Sequence, residues 1–142
     1  MIIIESEPGI LMTEDAINTF PDECCGFVFG MEDENQNRII TEILVVENSK
    51  QGEKTRRFEI SPLDYLRAEQ YAMDNELLLL GIYHSHPNHP AIPSEHDRIA
   101  AQPYFSYLII SVMNREIAGI RSWKLNEKEQ FDEEKIADYQ FT

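Results

Sequence analysis

The apolar run LLLLGIY at residues 77–83 constrains the fold of this chain more than any other feature of its sequence. A β-strand that is buried on both faces has such an unbroken pattern, because neither face meets water. Pro87 closes the segment. The run therefore predicts a central strand with covering layers on both sides.

The patterns on either side of this run predict further helices and strands. Helices are expected over residues 10–20 with Thr13 as the cap, from Ser61-Pro62 to about Asn75 with Leu63, Leu66, Tyr71 and Met73 as the apolar residues, and from Ser94 to near Pro103. Strands are expected over residues 24–30, 38–46, 57–60, 107–113 and 117–125. A polar loop should span residues 47–55, and the charged tail from Asn126 should pack loosely through Phe131 and Ile136. The prediction is a mixed α/β (α+β) fold with a central mixed sheet flanked by helices, in one domain over residues 1–142.

Charge and cysteine content narrow the possible partners and compartment. The 12 Lys+Arg and 26 Asp+Glu give a formal net charge of −14, which argues against binding to nucleic acid or to an anionic membrane. Cys24 and Cys25 are adjacent and have no other cysteine to pair with, so we expect reduced thiols. No export signal or bilayer-spanning run is visible, and the expected location is cytoplasmic.

All four histidines fall between positions 84 and 96, close to Asp97. His84 and His86 are two residues apart at the end of the predicted central strand, so both side chains should point to the same side of the sheet. Asp97 lies in the first turn of the next helix, and the proline-rich loop could fold it back toward them. Two histidines and a carboxylate form a zinc site with a fourth position open to water, as in catalytic zinc sites.

Other zinc signatures do not match. The chain has no helix-borne His-Glu-x-x-His, and its adjacent cysteines lack zinc-finger spacing. The run HSHPNH at residues 84–89 nearly spells the motif of metallo-β-lactamase-like hydrolases, but Asn88 replaces the aspartate and no histidine after His96 supplies the later ligands. A cupin site fails similarly, because it needs a later glutamate together with a distant final histidine, and no histidine follows His96.

The spacing resembles the JAMM, or MPN+, zinc metalloprotease motif: His-x-His-Pro, six residues, Pro-Ser, two residues, Asp. It stands here as HSHP at residues 84–87 and PSEHD at residues 93–97. The segment PDECCG at residues 21–26 is similar to the family's upstream glutamate segment. Flanking residues resemble the short prokaryotic Mec+-like members over most of the chain. The resemblance implies a single MPN/JAMM domain of cytidine deaminase-like fold.

The resemblance also implies a role for each residue of the site. One Zn²⁺ per chain would be held by His84, His86 and Asp97, with Glu23 as the general base and Ser94 as the donor to the oxyanion. A helix cap is also a complete explanation of Ser94, and its hydroxyl cannot fill both roles full-time; the donor role is our prediction. His89 and His96 should face solvent. Trp123 should serve mainly in packing, and Arg121 should be a solvated surface charge.

The implied function is hydrolysis of an amide or isopeptide bond in adducts of a ubiquitin-like or sulfur-carrier protein. Two alternatives stay open: a non-catalytic MPN scaffold without metal, and a zinc hydrolase of cell-wall peptides. The oligomeric state, the natural substrate and any gating by the loop at residues 47–55 are not determined by the sequence.

Overall fold

The structure is a computed structural model that describes residues 1–137. Within these residues one mixed sheet has the strand order β1-β3-β2-β4-β5-β6-β7, in which β1–β3 and β4–β5 are parallel pairs and the other neighbours are antiparallel. The strands are β1 Ile2–Ile4, β2 Cys25–Glu32, β3 Arg38–Val46, β4 Leu78–Pro87, β5 Ser106–Met113, β6 Glu116–Leu125 and β7 Phe131–Glu134. The helices are α1 Ser6–Thr19, α2 Pro62–Asp74 and α3 Glu95–Ala100.

The predicted central strand is confirmed, because β4 occupies the middle of the sheet and both of its faces are covered. Leu80 and Tyr83 belong to the core on the α1 side, and Ile82 belongs to the core on the α2 side. Each of these side chains is at most 1% exposed, and full burial of a side chain of this size contributes about 1.5–3 kcal/mol. No helix in residues 1–137 has the length and apolar character needed to cross a membrane.

The first helix begins earlier than predicted. It starts at Ser6, and Thr13 lies inside it, where its hydroxyl donates to the carbonyls of Gly9 and Ile10 instead of capping the N-terminus. Pro8 does not interrupt the helix because it sits in the first turn, where a missing N–H breaks no helical hydrogen bond.

Helix α2 has the predicted caps but not the predicted buried face. Leu63, Leu66 and Met73 are 54%, 62% and 74% exposed, whereas Ala68 and Ala72 are buried. The small alanines let the helix lie close to the sheet, which leaves the larger apolar residues beside them in solvent. Of the four apolar residues predicted for this helix, only Tyr71 packs against the core.

Two further segments differ from the prediction. Residues 57–60 are not a strand, because their backbone is held by a loop: Ser49 N–H donates to the Glu59 carbonyl over 2.9 Å. The tail is more ordered than expected, since β7 pairs with β6. The two expected anchors are confirmed: the Phe131 ring centroid lies 5.8 Å from that of Tyr107, and Ile136 forms a bridge to Ile2.

Candidate metal centre

Strand β4 carries His84 and His86 to one side of the sheet, as the alternation predicts. Their Nε2 atoms lie 3.2 Å apart, and the two residues are 1% and 8% exposed. Ser85 points to the other side, where its Oγ accepts a hydrogen bond from Cys24 N–H over 2.8 Å. The strand therefore presents two imidazoles to one point.

Helix α3 brings Asp97 to the same point through its N-terminal capping box. Ser94 Oγ accepts from Asp97 N–H over 3.0 Å, and Asp97 Oδ2 accepts from Ser94 N–H over 2.9 Å. That same Oδ2 lies 3.2 Å from His86 Nε2 and 3.5 Å from His84 Nε2. The three residues expected to bind zinc are thus placed together.

The spacing of these three atoms fits a zinc ion. Ligands held tetrahedrally at 2.0–2.1 Å from zinc lie about 3.3–3.4 Å from one another, and the three separations here are 3.2, 3.2 and 3.5 Å. A Glu23 oxygen and one nitrogen of each histidine also lie within 4.8 Å of one another. The carboxylate of Glu23 therefore lies beside the point where the two histidines and Asp97 meet.

Glu23 is positioned by β2 and by the loop that follows β3. Cys25 pairs with His84 across the antiparallel β2–β4 ladder, so the residue two positions earlier falls near the histidines. The backbone of Glu23 donates from N–H to the Lys54 carbonyl over 2.8 Å and accepts at its carbonyl from Asn48 Nδ2 over 3.1 Å. Sequence reasoning missed Asn48, because its role depends on a contact between distant segments.

Burial dominates the electrostatics of this centre. Glu23 is 3% exposed, its Oε1 has no hydrogen-bond partner among the described residues, and loss of hydration raises its pKa to about 8. Burial also lowers the pKa of His84. For Asp97, burial acts to raise the pKa, but the charge of His84 and hydrogen bonds with both imidazoles outweigh it and hold that pKa well below its usual range.

Two cavities border the residues that converge at this centre. One, of about 340 Å³, borders His84 and Asp97 and has walls that include Phe58, Tyr65 and Tyr107. The other, of about 440 Å³, is lined by Glu23, Arg56, His86, His89, Pro90, Ile92 and Ser94. The converging residues are therefore accessible from two cavities.

The remaining histidines and the cysteines lie outside the ligand set. His89 is exposed as predicted, whereas His96 is half-buried and borders the cavity beside His84. Cys24 and Cys25 are free thiols, as expected, and both are buried. Burial raises the pKa of Cys25 to about 12, so it stays protonated at neutral pH.

Comparison with known proteins identifies the family of this chain. The sequence model of the Prok-JAB family, described as prokaryotic homologs of the JAB domain, matches residues 11–126. A desampylase from Pyrococcus furiosus is 32% identical over 114 residues, which cover 80% of this chain and 74% of that protein.

Solved structures agree with this match. A protein from Desulfitobacterium hafniense superposes with a TM-score of 0.84 at 30% identity, covering 96% of this chain and 92% of that one. A Salinibacter ruber protein gives a TM-score of 0.72 at 30% identity, covering 96% and 90%. A JAB1/MPN domain protein from Archaeoglobus fulgidus shares the fold, with a TM-score of 0.57 at 18% identity over 97% and 100% of the two chains. With its sheet, its helices and its family match, the chain belongs to the prokaryotic JAB family of JAMM/MPN proteins.

Proposed function

We propose that this protein is a zinc-dependent hydrolase that cleaves an amide or isopeptide bond at the end of a ubiquitin-like or sulfur-carrier protein. The observation that carries the proposal is the convergence of His84 Nε2, His86 Nε2 and Asp97 Oδ2 at separations of 3.2–3.5 Å. These donors fit one zinc ion with a position left open.

The roles of the chain's own residues follow from their positions. Zinc, when bound, supplies Lewis-acid polarisation of a carbonyl and makes water more acidic. Glu23 accepts the proton of the attacking water on its unpartnered carboxylate and passes it to the leaving amine. Its burial beside the histidines places the carboxylate where it can take up that proton and release it.

Ser94 supplies a second polar group at the centre. In the capping box its oxygen acts as an acceptor, and no described residue accepts a hydrogen bond from this hydroxyl. Its hydrogen is therefore available to donate to the carbonyl oxygen as negative charge develops there.

The substrate class rests on the family relationship and on the shape of the site. The Pyrococcus furiosus relative is named a desampylase, which makes a ubiquitin-like adduct the first substrate to test. Both cavities are lined by residues of the centre, which gives room there for a slender segment such as the end of a carrier protein.

The test is incubation of the purified protein with adducts of ubiquitin-like carriers and, separately, with peptidoglycan peptides, followed by mass spectrometry. Glu23→Gln should reduce cleavage of the adducts by about 10²–10⁴-fold. Its matched control, Asp22→Asn, removes a neighbouring charge that is only half-buried and should leave cleavage unchanged.

Three results would contradict the proposal. Normal cleavage by Glu23→Gln would show that Glu23 is not the general base. Cleavage of peptidoglycan peptides alone would favour the cell-wall alternative. A wild-type protein that binds no zinc and cleaves neither substrate would favour a scaffold.

A further inference from the structure

Three successive backbone carbonyls after β4 each accept a hydrogen bond from a different part of the sheet. We call residues 89–91 the carbonyl segment. The His89 carbonyl accepts from Ser111 Oγ over 2.6 Å, and the Ala91 carbonyl accepts from Trp123 Nε1 over 3.0 Å. The Pro90 carbonyl between them lies 2.9 Å from His86 Nδ1.

The middle contact determines how His86 can bind a metal. An imidazole that donates from Nδ1 to a carbonyl keeps its lone pair on Nε2 and is fixed in orientation. His86 Nε2 is the atom that faces His84 and Asp97. The Pro90 carbonyl therefore fixes both the direction of the ring and the nitrogen that is free for the metal.

The two outer contacts hold the Pro90 carbonyl in place. Ser111 pairs with His86 across the parallel β4–β5 ladder, and it is 3% exposed. Trp123 lies on β6 and pairs with Tyr107 of β5. One side chain on each of these strands thus ties the exposed loop to the sheet, on either side of the peptide unit that contacts His86.

We infer that Trp123 and Ser111 are positioning residues for the metal centre, which act on His86 through the carbonyl segment. This inference rests on the proposed zinc site and deepens it. The packing role expected for Trp123 from the sequence is thereby extended, because the indole N–H, and not only the ring, has a specific partner.

The test measures the zinc affinity of the variants Trp123→Phe and Ser111→Ala by competition with a chelator. Trp123→Phe keeps an aromatic ring and removes the N–H, and each variant should bind zinc about 10–100-fold more weakly. Ser111→Thr restores a hydroxyl and should recover most of the loss.

Two controls separate positioning from stability. Ser106→Ala removes another buried hydroxyl of β5, which contacts Arg38, and should leave zinc affinity unchanged. Arg121→Gln removes the guanidinium that lies 5.0 Å from the centre of the Trp123 ring but keeps the indole N–H, so zinc affinity should again be unchanged.

A second readout follows His86 directly. The exchange of its Nδ1 proton with solvent, measured by NMR, should be slow in the wild type and faster in Trp123→Phe and Ser111→Ala, with or without zinc. Zinc affinity within twofold of the wild type in both variants, together with unchanged exchange, would overturn the inference. Failure of the wild type to bind zinc would contradict the proposed function, while the exchange measurement on metal-free protein would still decide whether these residues position His86.

Discussion

A buried carboxyl group without a hydrogen-bond partner is costly to ionise, and Glu23 is such a group. Its Oε1 is unpartnered among the described residues, and burial raises its pKa from an ordinary value near 4.5 to about 8. Hydrogen bonds at its backbone N–H and at its carbonyl hold the main chain of this residue in place. The fold therefore maintains a proton-binding group beside the ligand atoms at the expense of stability.

This residue should make the stability of the metal-free protein depend on pH. Because the folded-state pKa of Glu23 is raised, its protonation contributes stability that is fully present below about pH 4.5 and lost as pH rises through about 8. Urea unfolding of wild type and Glu23→Gln across pH 5–9 isolates the effect. The free energy of unfolding of the wild type should fall relative to that of the variant as pH rises, and a constant difference would contradict the assigned burial.

At the scale of elements, helix α3 joins a structural cap to the proposed chemistry. The capping box holds Asp97 by its backbone and its carboxylate, and the same carboxylate oxygen faces both histidines. The donor role predicted for Ser94 is physically compatible with the cap. The cap uses the hydroxyl oxygen as an acceptor, which leaves its hydrogen for another partner.

Ser94→Ala should therefore affect both stability and turnover. Loss of the cap should cost about 1 kcal/mol of unfolding free energy, and loss of the donor should reduce kcat by about a hundredfold or more. Ser61→Ala is the matched control, because Ser61 caps α2 by accepting from Asp64 N–H over 3.2 Å. That control should lower the melting temperature without changing kcat, and the same outcome for Ser94→Ala would refute the donor role.

Local patterns predicted those elements whose burial follows from their own sequence. The apolar run at residues 77–83 predicted β4, and its end placed His84 and His86 on one face. The strand predicted over residues 57–60 was wrong, because loop hydrogen bonds and not strand pairing hold this part of the backbone. The prediction of the buried face of α2 was wrong, because close packing buries Ala68 and Ala72 and not the larger side chains.

The residues of the candidate site also fall into two groups: some are predicted by their spacing along the chain, and others depend on contacts between distant segments. Spacing along the chain brings together His84, His86 and Asp97, since the two histidines lie at the end of β4 and Asp97 lies in the first turn of the next helix. Glu23 could be proposed only from the family resemblance, because β2–β4 pairing brings it to the site from far along the chain. Asn48 and Trp123 depend likewise on contacts between distant segments, and spacing carries no signal of them.

At the scale of the whole molecule, the net charge of −14 opposes approach of an acidic carrier protein. Arg56 and Arg57 are exposed, and Arg56 borders the cavity that contains Glu23 and His86. Under the proposed function, these arginines supply local attraction at the entrance to the site. Such attraction between exposed charges weakens when salt shortens the screening length.

Arg56→Gln should raise KM for a carrier adduct severalfold at low salt and leave kcat nearly unchanged. The ratio of its KM to that of the wild type should approach one as ionic strength rises, because salt screens the same interaction in the wild type. Arg67→Gln makes the same charge change on the exposed side of α2 and should have no such effect. Equal KM values for wild type and Arg56→Gln at every salt concentration would exclude this docking role.

The most direct test of the account is quantitation of zinc in purified, zinc-loaded protein. Wild type and His89→Ala should each retain one equivalent per chain, because His89 is exposed and lies outside the ligand set. His84→Ala should retain far less, since it removes one of three converging ligand atoms. Wild-type protein with only a small fraction of an equivalent, or equal zinc in wild type and His84→Ala, would contradict the zinc centre and the hydrolase built on it.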